Sequence, residues 1–251
     1  MKTTPQKRTA KISIIITSYR EPRLSQAVQA IHAQHLPPSA EVLIVSPDKE
    51  AQQQAKKVRY RYMKDPGHGK SAALNLVLPK ATGDIIILTD GDVILEKNAI
   101  REIIKPFENK NIGCVSGRVI SSNSKKNMFG FWSHLLADAG AHNIRKEGAK
   151  KKFLECTGYL FAFRNHIIKK IPTDVAEDAF IPYLFKQKGY DIAYAEKARV
   201  LIKNPTNWKD WINQRKRTAK AHETLKKYVD VKNIPRVKSF TNEITEGFFL
   251  A

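Results

Sequence analysis

"GDIIILTDGDV", residues 83–93, is the stretch that decides the fold of this chain. Thr82-Gly83-Asp84 reads as a turn, and Ile85 to Leu88 is apolar enough to suit a strand buried on both faces, as at the centre of a parallel sheet. Asp90 and Asp92 follow at its carboxyl end, with Gly91 between them. In open α/β sheets ligands bind beyond the carboxyl ends of the strands, so a ligand site is expected here. Two carboxylates one residue apart can turn toward one hard cation. Mg²⁺ or Mn²⁺ takes few carboxylates plus substrate phosphate oxygens, which makes Asp90 and Asp92 candidate metal ligands.

Outward from this strand the pattern repeats. "KISIIIT" (11–17) and "EVLIVS" (41–46) read as buried strands and "VRYRYM" (58–63) as a third. Between them, Leu24, Ala27, Val28 and Ile31 recur at helical spacing after Pro22, and a polar helix runs through the glutamines at 52–54. Ser71 to Leu78 is a further helix. This βαβαβ order predicts an α/β fold with one Rossmann-like, mostly parallel central sheet flanked by helices. Beyond it come a helix with Ile100, Ile103, Ile104 and Phe107 on one face, then a strand near Cys114 to Ile120. A helical stripe over 128–145 follows, with Trp132 read as core. "FLECTGYLFAF" (153–163) reads as a strand, 176–189 as a helix with a glycine stop, and 207–228 as a strongly basic helix. No internal repeat appears, so residues 1–251 are expected to form a single domain.

Of the 251 residues 42% are hydrophobic, enough for a substantial core. Lys and Arg number 44 against 24 Asp and Glu, and the net charge of +20 predicts a phosphate-bearing partner: nucleotide, nucleic acid or anionic membrane. Two cysteines, Cys114 and Cys156, are too few for a disulfide framework and point to a reducing, cytoplasmic setting. The N-terminal apolar run reads as a strand rather than a signal peptide, and no run of about 18 apolar residues spans a bilayer. The closing "EGFFLA" suits either a plain terminal element or the start of a membrane helix. Trp208 and Trp211, among basic residues, suit either a membrane interface or packing on the sheet.

"DPGHGKSAALN" (65–75) contains Gly-Lys-Ser, the ending of a phosphate-binding P-loop. That loop needs a glycine five residues before the second one, and Lys64 stands there. What survives is a glycine loop with Lys70 at a helix start, where free amides and the helix dipole favour an anion.

The ordered set "IIITSYREP" (14–22), "GHGKSAALN" (67–75), "GDIIILTDGDV" (83–93), "AEDAF" (176–180) and "QRKR" (214–217) resembles the family 2 glycosyltransferases of GT-A fold, over roughly residues 11–218. The resemblance implies an inverting, metal-dependent transferase using a nucleotide-diphosphate sugar, UDP-linked, with Mg²⁺ or Mn²⁺. Its partners would be that donor, a glycan or lipid-linked acceptor, and an anionic membrane touched peripherally at the cytosolic face, with no nucleic acid. It implies that Thr17, Tyr19 and Glu21 lie around base and ribose, that Lys70 and Asn75 line the donor site, and that Asp90, Gly91 and Asp92 form the DxD segment meeting ribose, metal and diphosphate. Asp178 matches the catalytic base with Glu177 beside it, and Gln214 and Arg217 match the polar residues of a QxxRW motif on the acceptor and diphosphate side. On this basis 11–120 is the nucleotide-sugar half, 121–228 the smaller acceptor-side half with the base, and 229–251 a C-terminal tail. Two departures stand out. Thr218 replaces the tryptophan of QxxRW, which argues against processive polymer synthesis, and Asp48 alone follows the second strand where many members carry two aspartates, so the resemblance makes Asp48 the substitute for that pair in nucleotide binding.

Two other readings fit less well. A sugar-phosphate nucleotidyltransferase would want a glycine-rich loop after the first strand, where "TSYREP" stands. A nucleic-acid-binding module would explain the charge but should carry a compact basic motif.

Overall fold

The computed structural model of the chain describes residues 10–148, 153–231 and 233–234. Most of the expected C-terminal tail, with "EGFFLA", lies outside the described residues. The strands are β1 (Ile12–Thr17), β2 (Glu41–Val45), β3 (Arg61–Met63), β4 (Ile85–Asp90), β5 (Ile94–Leu95), β6 (Ile112–Ser121), β7 (Leu160–Arg164) and β8 (Asp191–Ile202). They form one 8-stranded sheet in the order β3-β2-β1-β4-β7-β6-β8-β5. The run from β3 to β4 is parallel, β7 inserts antiparallel between β4 and β6, β6 and β8 are parallel, and β5 closes the edge antiparallel to β8.

The isoleucine-rich strands are completely buried because both faces of the sheet are covered. Ile12, Ile14 and Ile16 of β1 alternate with Ile15, as the two-residue period of a strand requires. The first set packs with Leu24, Val28 and Ile31 of α1 (Leu24–His32), Ala51 and Ala55 of α2 (Lys49–Lys57), and Ile100 and Ile103 of α4 (Ala99–Ile104). Ile15 joins Leu74 and Val77 of α3 (Lys70–Val77) and Phe180, Ile181, Tyr183 and Phe185 of α7 (Glu177–Gln187). The result is the layered α/β architecture expected, with β1 inside its parallel half and β4 at the border with antiparallel β7.

The chain then leaves the simple βα alternation. α5 (Met128–Leu135) runs through a π-helical stretch, Leu136–Asn143, into α6 (Ile144–Gly148), and the basic segment forms α8 (Trp208–Leu225). Four expectations change. Residues 154–159 are irregular rather than strand, β3 begins only at Arg61, and the long strand β8 was not anticipated. Trp132 is 47% exposed and is not core.

Candidate active site

Because β1, β2 and β4 are parallel, their carboxyl ends open on one side. A cavity of about 490 Å³ lies there, lined among others by Thr17, Tyr19, Glu21, Lys70, Asp90, Gly91 and Asp92. Thr17 ends β1 directly beside Asp90 in the sheet register, and its Oγ1 donates to Asp90 Oδ1 at 2.7 Å. Gly91 N donates to Thr17 O at 2.8 Å, which pins the turn that presents Asp92. Strand pairing therefore fixes the first carboxylate, and the glycine turn fixes the second.

The glycine loop supplies the cation. Gly67 and Gly69 have φ of +75° and +97°, a left-handed backbone that side chains rarely adopt, and Gly69 immediately precedes α3. Lys70 Nζ reaches Asp90 Oδ1 at 2.7 Å and Glu177 Oε1 at 2.8 Å, and donates to Gly158 O at 3.0 Å. Burial works against its charge, but the two carboxylates outweigh it and hold the Lys70 pKa above the ordinary value. This ion triad ties the end of β4 to the start of α7 and to the 154–159 segment.

Asp178 sits beside Glu177 in the first turn of α7. Burial, and next the Glu177 carboxylate, push its pKa up to about 7, although Lys70 pulls the other way. A Cβ on Gly158 would stand 2.9 Å from Asp178 Oδ2, so this glycine is the wall against which that carboxylate rests. Tyr159 follows; burial, and then the charges of Asp92 and Asp90, raise its hydroxyl pKa, while Arg217 of α8 opposes the rise. The irregular segment thus runs between the acidic turn after β4 and Asp178 on α7.

Asp92 is itself strained electrostatically. Burial, then Asp90 and Glu21, raise its pKa, and Arg23 relieves it in part, with Nη2 3.6 Å from Asp92 Oδ2. Glu21 holds Arg23 in place by accepting from its backbone N at 2.9 Å. In all, Glu21, Asp65, Asp90 and Asp92 face the cavity against the single cation Lys70 among the lining residues. An anionic ligand would meet repulsion there unless a divalent cation came with it, and two carboxylates plus ligand oxygens suit Mg²⁺ or Mn²⁺. The residues present therefore fit the expected metal, with Asp92 and the remaining lone pairs of Asp90 as the groups to hold it. No larger cluster of three or more His, Cys, Asp or Glu suited to a metal occurs among the described residues.

Not every expected site residue lines the cavity: Glu177 and Asp178 stand outside its lining, joined to it through Lys70 and Gly158. Asn75 lies one turn into α3 and is engaged by Ile171, donating to its carbonyl at 2.7 Å and accepting from its N–H at 2.8 Å, so it braces the segment before α7. Asp48 stands behind the wall, where its Oδ2 accepts from Arg20 N at 2.5 Å and from Ser46 Oγ at 3.2 Å. Gln214 and Arg217 lie on α8 and do not line the cavity. Conversely Arg23 and Asp65, which sequence reading did not single out, adjoin the site, as do Gly158 and Tyr159 of "CTGYLFAFR" (156–164), a stretch that resembles the family's segment between donor and acceptor sites. Asp65 is 6% exposed and accepts from Gly67 N at 2.6 Å, shaping the glycine loop. An aspartate two residues before a glycine was the one signal available for it.

Comparison with solved structures gives the class. The chain superposes on the crystal structure of S. aureus TarS 1-349 with a TM-score of 0.57 at 16% identity, over 84% of this chain and 65% of that one, and the shared architecture is the GT-A fold. The family model described as "Glycosyltransferase like family 2" matches residues 9–221. The chain belongs to glycosyltransferase family 2. Among curated proteins it is 25% identical over 234 residues to the probable glycosyltransferase YdaM of Bacillus subtilis (strain 168), covering 85% of this chain and 55% of that protein. It is 26% identical over 144 residues to the O-antigen chain rhamnosyltransferase WbaN of Salmonella anatum, covering 53% of this chain and 45% of that one. A shorter match, 35% over 65 residues, links 26% of it to 13% of the beta-monoglucosyldiacylglycerol synthase of Trichormus variabilis (strain ATCC 29413 / PCC 7937). The chain spans about half the length of the first two relatives.

Proposed function

We propose that this chain transfers a sugar, with inversion, from a UDP-linked or related nucleotide-diphosphate sugar to a hydroxyl on a glycan or lipid-linked acceptor at the cytosolic face of a membrane. The observation that carries this reading is the opposition, across one segment, of the Asp90/Asp92 turn and the Asp178 carboxyl. The nucleotide occupies the cavity at the ends of β1, β2 and β4, where Tyr19 offers an exposed ring and Thr17 a fixed hydroxyl. Asp92 and Asp90 would hold Mg²⁺ or Mn²⁺, which would supply charge neutralisation for the departing diphosphate. Lys70 adds a fixed positive charge on the same side.

The acceptor oxygen attacks the anomeric carbon as the bond from that carbon to the diphosphate oxygen breaks. The electron pair leaves on the nucleoside diphosphate, and the acceptor proton passes to Asp178. A base that ionises near neutrality is well matched to this step, because it is substantially deprotonated yet still basic. One displacement on an α-linked donor gives a β-linked product. Wild type incubated with a panel of nucleotide sugars and Mn²⁺ should release nucleoside diphosphate with at least one of them, and Asp178→Asn should bind the same donor with transfer reduced by about 10³-fold. Normal turnover in Asp178→Asn would overturn the assignment of the base.

A further inference from the structure

Five of the seven large apolar side chains that stand exposed among the described residues lie on two adjoining helix starts. They are Met128, Phe131 and Trp132 on α5, and Trp208 and Ile212 on α8, each between 46% and 59% exposed. Their spacing, three and four residues apart, puts each set on one helical face. The two helices are locked together at this end. Asn123 Nδ2 donates to Asn204 O at 3.1 Å, Asn204 N donates to Asn123 Oδ1 at 2.8 Å, and Ser122 N donates to Ile202 O at 2.8 Å. Phe129 lies edge-on to Trp208 with centroids 5.2 Å apart, and 6.0 Å from Trp211, so it mortars the joint from beneath.

Cations surround this surface. Lys125, Lys126, Lys203, Lys209, Arg215 and Lys216 are all exposed, and Asp210 is the one carboxylate in residues 122–134 and 203–217. A rigid aromatic and aliphatic face ringed by lysines has the composition of an interfacial membrane anchor, in which rings enter the boundary between headgroups and acyl chains while lysine stems reach out to phosphates. No helix among the described residues is long and apolar enough to cross a membrane, so this face would lie on a bilayer rather than span it.

We propose that the α5–α8 face docks the enzyme on an anionic bilayer. Charge favours lipid over a second copy of the chain, because a symmetric pairing would bring the same six cations together. The placement rests on the membrane part of the function proposed above and gives it a geometry. From Trp208 to Arg217 the helix rises about 14 Å, so docking through Trp208 keeps Arg217 within about that distance of the headgroups.

The chain's three tryptophans, Trp132, Trp208 and Trp211, all belong to this region, so intrinsic tryptophan emission reports on it alone. The test mixes the full chain with vesicles of phosphatidylcholine, with and without phosphatidylglycerol, at low and high salt. Wild type is expected to sediment with the anionic vesicles at low salt, with blue-shifted tryptophan emission, and to stay in solution with the neutral ones. The double variant Phe131→Ser/Trp208→Ser should bind about tenfold more weakly while nucleotide affinity is unchanged. Lys125→Ser/Lys209→Ser, which leaves the apolar face intact, should also lose about tenfold, and it tests the same face should the first variant not fold. Nucleotide binding is measured on the same samples, so failure of docking and failure of the transferase reading are read separately. Wild type that remains in the supernatant would overturn the proposal, as would sedimentation without an emission shift, which means adsorption through another basic surface. So would a wild-type dimer, indifferent to vesicles, that Phe131→Ser/Trp208→Ser converts to monomer.

Discussion

Asp178 shows how a residue's chemistry and its cost to the fold are linked. Its folded pKa of about 7 lies above the ordinary 3.8, so between these values the folded state holds more protons than the unfolded one, and stability falls as pH rises through that window. Asp178→Asn removes the cost. Its melting temperature should equal or exceed that of wild type at pH 8, with the gap closing toward pH 4, whereas a lower value at pH 8 would mean that the carboxylate is a net stabiliser. Gly158→Ala probes the same group from the other side. The added methyl would stand 2.9 Å from Asp178 Oδ2, a contact the aspartate relieves by moving its free end. The variant should keep its melting temperature and nucleotide affinity yet lose roughly 10²-fold in turnover, as expected when a reacting group is displaced by about 1 Å. Unaltered turnover would show that Asp178 needs no such wall. Asp90 and Asp92 were legible in the sequence because they stand at the end of a strongly apolar strand, and Asp178 was legible only through the resemblance of "AEDAF" (176–180) to the family's motif. Arg23 was not, since its role arises from its contacts with Asp92 and Glu21, and the segment carrying Gly158 and Tyr159 could be singled out only as a whole, because its bond to Lys70 joins residues distant in sequence.

The parallel strands and their helices could be read at the level of elements because the isoleucines of β1 and β4 leave no other way to bury them. β8 could not. Its middle, Ala195 to Arg199, mixes alanine with Glu196, Lys197 and Arg199, a helix-like composition that pairs with β6 only at its two ends, Ala195 and Arg199, with an irregularity between them, and Arg199 is held further by the 2.6 Å contact of its Nε with Glu96 Oε2. The strand expected at 153–163 forms only from Leu160, for the opposite reason. Its apolar residues Phe153, Leu154 and Cys156 are buried as anticipated, but under α7 rather than in the sheet, and the backbone stays free to carry Gly158 to Lys70. The turn before β4 makes a testable element. A Cβ on Gly83 would meet the β1 backbone at 2.5 Å from Ser13 N and 2.6 Å from Ile12 C, and Gly83 N already donates to Ser13 Oγ at 2.8 Å. Because backbone cannot swing away as a side chain does, Gly83→Ala should lower unfolding free energy by about 3 kcal/mol in urea denaturation. A loss near zero would place β1 and this turn farther apart.

Across the whole molecule the charge is unevenly distributed. A chain of net charge +20 directs four carboxylates and one lysine into its main cavity, while an aromatic face elsewhere carries a ring of lysines. The positive field would draw phosphate-bearing ligands from solution, and the acidic cavity would accept them only together with a cation. Composition announced the first half of that arrangement, but the second depends on which side chains the sheet gathers at one end of its strands. The most direct measurement is a calorimetric titration of UDP, with and without Mn²⁺, into wild type and Asp92→Asn. Wild type should bind UDP tightly only with Mn²⁺ present, and Asp92→Asn should lose about 100-fold in affinity, or about 2.7 kcal/mol. Equal Mn²⁺-dependent binding by the two proteins would contradict the claim that the turn after β4 holds a metal-bound nucleotide sugar.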